Sequence, residues 1–152
     1  MATLRLFLSI PVGLVLMGAV VWLAELLTHA VFPPSQELLD AMKRLQADPT
    51  AGEARAAVTA AFATMPAGSF LGLIVGWVAG AAAGAWIASR MSGILKRPVA
   101  VAIGVLSTVA VGSRLYFIPH PSWMIVPSLA LPLLASILIA WSAAKAPPKT
   151  TR

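Results

Sequence analysis

Four long apolar runs dominate this sequence and decide most of what it can become. They lie at about residues 6–32, 67–89, 99–118 and 123–144. A stretch of ~20 apolar residues in a helix matches the ~30 Å hydrocarbon core of a bilayer. The first run is about 40 Å long at 1.5 Å per residue, so it tilts or protrudes. Only helices and closed barrels satisfy their own backbone in lipid. None of the runs alternates with period two, which predicts an all-α integral membrane four-helix bundle, with residues 1–152 forming a single membrane domain.

Composition agrees with that reading. The chain is 59% hydrophobic and 11% charged, where soluble domains carry about 25% charged residues. Mean hydropathy is +0.89. A soluble enzyme and a disordered tail are both excluded. There is no cysteine, so disulfides, thiolate nucleophiles and Cys-type zinc sites go too.

Lysine and arginine set the expected orientation. Arg5, Arg90, Lys96, Arg97, Lys145, Lys149 and Arg152 fall on one side of the spans, with no acid among them. The other side sets Lys43, Arg44 and Arg55 against Glu37, Asp40, Asp48 and Glu53. The positive-inside rule then places both termini and the 90–97 loop in the cytoplasm, in a multi-pass bacterial inner-membrane protein. The net charge of +6 is explained by topology and needs no nucleic-acid partner. The first run far exceeds the ~7–15 residues of a signal-peptide core, so an uncleaved first helix is expected.

Residues 33–66 form the extracytoplasmic loop. Pro33-Pro34 ends the first span, because proline cannot continue a helix ladder. Ser35 reads as an N-cap for a short helix with Leu38, Leu39, Met42 and Leu45 on one face. Asp48-Pro49 breaks it. Thr50 and Glu53 read as a capping box for a second helix, lined by Ala54, Val58, Ala61, Phe62 and Met65. Two short amphipathic helices over the mouth of the bundle are predicted, serving as a lid over apolar helix ends or as a docking surface.

In the second span Gly68, Gly72, Gly76, Gly80 and Gly84 recur every fourth residue, the pattern of a glycine zipper. Small residues four apart let helix backbones approach closely in lipid. This face is expected to meet another helix, within the bundle or across a homo-oligomer seam.

A few polar residues interrupt the apolar runs. Glu25 and His29 stand one helical turn apart on the first span. Arg114 sits near the end of the third span at a matching depth, and His120 occupies the Pro119-His120-Pro121 turn. Ionisable groups in a span cost roughly 2.5–3.5 kcal/mol each on insertion scales, so they point inward and find partners. Three readings stay open. Glu25 pairs with Arg114 as a structural lock; Glu25, His29 and His120 ligate a metal such as zinc or copper; or Glu25 and His29 form a protonation site, or bind a small anion or headgroup through Arg114. No catalytic motif is present, neither His-Glu-x-x-His, Gly-x-Ser-x-Gly nor a phosphate-cradling loop.

Ser69, Ser107, Thr108, Ser113 and Ser128 are expected to hydrogen-bond within their helices. Trp123, Tyr116 and Phe117 at one interface, and Trp86 and Trp141 toward the other, read as aromatic belts; Trp22 and Trp77 read as core. Pro127 and Pro132 are expected to kink the fourth span.

Several of these motifs together resemble a family of small, uncharacterised bacterial four-span membrane proteins. They are Glu25-x-x-x-His29-x-x-Phe32-Pro33-Pro34, Met65-Pro66-Ala67-Gly68 and Pro119-His120-Pro121-Ser122-Trp123. The resemblance implies a four-helix membrane protein and draws attention to Glu25, His29 and His120. Arg114 enters from its depth alone. The expectation is a non-enzymatic accessory or binding protein of the inner membrane, alone with lipid, in a larger complex or as a homo-oligomer. The alternative is a small proton-, ion- or metal-linked transporter.

Overall fold

Each apolar run becomes a helix. The computed structural model describes residues 2–93 and 95–145 and contains α1 (Ala2–Val31), α2 (Gln36–Ala47), α3 (Gly52–Thr64), α4 (Ala67–Met91), α5 (Lys96–Phe117) and α6 (Ser122–Lys145). No strand is present among the described residues. Lys149 and Arg152, used above for orientation, lie outside them. Four helices, α1, α4, α5 and α6, are long and apolar enough to cross a membrane. The chain is a multi-pass helical bundle.

α4 is the central helix and packs on α1, α5 and α6, while α5 and α6 pair with each other. Its glycines explain the arrangement. A Cβ on Gly84 would lie 2.6 Å from the Gly13 carbonyl oxygen, and one on Gly80 would lie 2.9 Å from that of Met17. Farther along, Gly76 faces Ala24, Gly72 faces Thr28 and Gly68 faces the Phe32 ring. The five glycines thus follow α1, antiparallel, from Gly13 to Phe32 just past its end. On the opposite side of the bundle, Gly104 of α5 seats Ser136 of α6, whose hydroxyl donates to the Pro132 carbonyl oxygen at 3.1 Å.

α6 runs through both prolines without a break in helix. Pro132 is fully buried. Thr108 of α5 shares its hydroxyl proton between the Gly104 carbonyl oxygen of its own helix, at 3.0 Å, and that of Leu129, three residues before Pro132, at 3.3 Å. Proline removes an N–H from the helix ladder, and a neighbouring hydroxyl here supplies a donor close to that gap. α1 also holds an internal proline, Pro11.

Three corrections concern the sequence expectations. Trp77 is buried at 3% exposure, but Trp22 is 63% exposed and faces away from the bundle. A span that is apolar on every side carries no periodic signal for which face turns inward. Thr50 does not cap α3: the helix begins at Gly52 after Ala51, with no side-chain cap. Instead Asp48 accepts from both the Thr50 N–H and its hydroxyl, at 2.9 and 2.6 Å, an Asx turn that competes with capping. These bonds hold the Asp48 carboxyl below its usual value. Finally, Thr108 and Ser113 bond to the carbonyls four residues back as expected, whereas the Ser69 and Ser128 hydroxyls are buried without a partner.

Candidate functional site

The site is built where α2 and α3 cover one end of the bundle. Ser35 caps α2, its hydroxyl accepting from the Leu38 N–H at 3.2 Å. Leu38, Ala41 and Leu45 bury one face of α2 against Ala54 and Val58 of α3. Among the described residues the two helices lie close to each other, and neither backbone comes close to another helix. Side chains alone make the junction. Phe62 of α3 meets Phe70 of α4 edge to face, with ring centroids 5.4 Å apart, and stands 5.4 Å from the His120 ring. Ile118 packs up into the α2–α3 cluster. The Arg55 guanidinium adds a tether, donating to the Tyr116 and Phe117 carbonyl oxygens at 3.4 Å each.

Because side chains and not backbones span the junction, it leaves a hollow. A cavity of about 280 Å³ lies between the cap and the bundle, lined by the end of α1, one face of α2, the start of α4 and the end of α5. Its walls are mainly apolar, with Leu38 and Met42 above and Phe70 and Leu73 below. The polar lining includes Arg114, Lys43, His29, His120 and Ser69. The lining contains no Asp or Glu.

Arg114 is held by Glu25, to which it donates across α1 and α5 at 2.5 Å. The Glu25 side chain is 19% exposed and that of Arg114 40%, so the pair is half-sunk at the cavity's edge. One guanidinium nitrogen is committed to Glu25 while the Arg114 side chain also lines the cavity. Lys43 lies 3.6 Å from Asp40 on the exposed face of α2. The His120 ring nitrogen Nδ1 is 2.7 Å from the Ile118 carbonyl oxygen. Burial is the main cause holding its pKa below the ordinary histidine value; the Ile118 bond opposes this, and the Arg114 charge adds to it.

The structure therefore brings Arg114, His29 and His120 to one cavity and pairs Arg114 with Glu25. It does not gather Glu25, His29 and His120 into a metal-binding group; no cluster of three such ligands occurs among the described residues. His29 is exposed. The residue that sequence reasoning missed is Ser69, 3% exposed, lining the cavity with an unpartnered hydroxyl. Its position one residue after Gly68 gives no signal, because the cavity above it exists only once α2 is in place. Comparison with protein-family models, curated proteins and solved structures finds no match for the chain.

Proposed function

We propose that this chain is a non-enzymatic accessory or binding protein of a bacterial inner membrane, with the capped cavity as its ligand seat. One observation carries the reading: Ser69, whose buried hydroxyl has no partner, lines an apolar cavity that Arg114, His29 and His120 also line. A buried hydroxyl without a partner costs about 1–3 kcal/mol. A bound polar group offsets that cost, and apolar pockets with a few convergent polar groups are where small molecules bind. The Glu25–Arg114 pair fixes the guanidinium at the rim and joins α1 to α5. The motif resemblance to small bacterial four-span proteins fits the same picture.

The cap faces outward and both termini lie in the cytoplasm on this reading, supported by the basic residues Arg5, Arg90, Lys96 and Arg97 at the uncapped end. The chain has no native cysteine, so single cysteines report topology directly. Gly52→Cys in the cap should react with a membrane-impermeant maleimide in intact spheroplasts, and Arg97→Cys only after lysis. The reverse pattern would overturn the orientation.

The binding reading is tested by native mass spectrometry of the full chain extracted gently from its own membrane. A one-to-one added mass is expected, and Met42→Trp, which fills the cavity from α2, should remove it. A chain with no added mass in either form would count against a ligand seat. A defined heteromeric mass would mark the accessory role and give the partner's mass.

A further inference from the structure

The chemistry of the cavity selects among ligands. Every fixed charge that lines it is positive: Arg114 on α5 and Lys43 on α2. The two acids nearest by contact, Glu25 and Asp40, are each engaged with one of these cations and are not part of the wall. Burial first, and the Arg114 charge after it, disfavour the protonated form of His120, and Ser69 brings an unpaired hydroxyl. A cationic ligand would meet two cations and no acid in the wall, since their counter-ions Glu25 and Asp40 lie outside it. An anion would meet charge-assisted donors, which form shorter and stronger hydrogen bonds than neutral ones.

Most of the remaining wall is hydrocarbon, with Leu38, Leu39, Met42, Phe62, Phe70 and Leu73 among its residues. An inorganic anion would leave that surface uncovered, and a neutral hydrocarbon would leave Ser69 unsatisfied. The volume of about 280 Å³ sits at the low end of the roughly 300–1,000 Å³ that holds drug-sized ligands. It suits one short chain and is too small for a two-chain phospholipid.

From this we infer that the cavity binds a single-chain anionic amphiphile, with its acidic headgroup at Arg114 and Ser69 and its alkyl chain between α2 and α4. This rests on the proposed ligand seat and gives it a substrate class. A carboxylate and a phosphate headgroup share the chemistry. Arg114 can donate to either, and the lining carries no acid to repel either one.

The test uses the delipidated full chain in a nonionic detergent, titrated with dodecanoate, dodecyl phosphate and dodecyltrimethylammonium, with one-to-one adducts counted by native mass spectrometry. At least one anion should bind about tenfold more tightly than the cation; whether it is the carboxylate or the phosphate names the source. Ser69→Ala should weaken anion binding about tenfold, in line with loss of a hydrogen bond to a charged group, and leave the cation unaffected. Arg114→Leu risks folding because it strands Glu25, so the double variant Glu25→Leu/Arg114→Leu accompanies it and should abolish the preference for anions.

Met42→Trp separates the two levels of the argument. If it blocks anion and cation alike and the wild type binds both equally, the ligand seat stands and the anionic class is overturned. If no amphiphile binds, or if binding survives Met42→Trp, both are overturned.

Discussion

The α1–α4 seam and the cap–bundle junction above it pack in opposite ways. Along the seam, glycines remove the side chains, so a Cβ placed on Gly84 would sit 2.6 Å from a backbone oxygen of α1. At the junction, backbones stay apart and Phe62, Met65 and Ile118 reach across. The first arrangement is dense and dry, as packing in lipid requires when no hydrophobic effect drives helices together. The second leaves a cavity and an unpartnered hydroxyl. Close approach of backbones sets stability here, and its absence makes room for a ligand. Gly68, facing the movable Phe32 ring at the end of α1, marks where one regime gives way to the other.

A graded glycine series is the strongest way to break this contrast. Gly84→Val pushes backbone against backbone and should cost about 3 kcal/mol or more, at or beyond the usual overpacking range. Gly68→Ala meets only an aromatic ring at a helix end and should cost about 1 kcal/mol. Gly18→Ala, with no atom within 4 Å of its Cβ position, should stabilise α1 slightly, since glycine costs a helix about 0.5–1 kcal/mol relative to alanine. Unfolding in mixed detergent micelles measures all three. Equal losses at Gly84 and Gly68 would mean the seam does not end where the cavity begins.

Next in size is the ion pair at the boundary. Arg114→Leu leaves the Glu25 carboxylate, 19% exposed, without its partner. Because Glu25 lies near the end of its span, the cost should fall somewhat below the roughly 2.5–3.5 kcal/mol of a mid-membrane charge, at about 2 kcal/mol. Converting both residues to leucine should recover most of it, since a buried pair replaced whole by apolar groups is often neutral. If the double variant is as unstable as the single, the pair does more than neutralise itself.

Much of this architecture can be read from the sequence, and the failures share one cause. Run length finds the spans, which begin and end within a few residues of the expected bounds. Counting depth from the span ends puts Glu25 level with Arg114, and glycine spacing picks out one face of α4. What spacing leaves open is which neighbour that face meets, α1 or a second copy. Trp22 misleads because a helix apolar all round has no marked inner face. Thr50 misleads because Asp48 takes both of its donors in a local turn. Ser69 is silent because its environment is made by α2, about thirty residues earlier in the chain. Local rules fail wherever the cap, a tertiary feature, decides.

Acid should loosen the junction and spare the seam. The folded-state pKa of His120 lies below its unfolded value of about 6.5, so between the two values the unfolded chain binds more protons. Stability then rises with pH across that window. The contribution is intact above about 6.5 and is lost as pH falls toward the folded-state value. Of the groups that line the cavity with it, His29, Lys43 and Arg114, Arg114 opposes the protonation of His120 directly. Protection factors of the α3 amides and of the Ile118 and His120 amides, corrected for the intrinsic pH dependence of exchange, should fall below pH 6.5, while α4 amides beside α1 stay protected. His120→Phe keeps an aromatic ring beside Phe62 and should remove this pH dependence.

The smallest expected effect falls on Arg55, whose two bonds to the Tyr116 and Phe117 carbonyl oxygens are long and exposed. Exposed polar contacts contribute little, typically below about 1 kcal/mol, so Arg55→Ala should leave global unfolding within about 0.5 kcal/mol of wild type. Its consequence is local. Beyond the two chain connections, the cap is tied to the bundle by side chains, and Arg55 is a tether that does not line the cavity. Its removal should speed exchange of α2 and α3 amides by about twofold and leave α1 and α4 unchanged. If α4 amides along the glycine face speed up equally, the cap and the seam unfold as one unit, and the ligand seat is as rigid as the bundle beneath it.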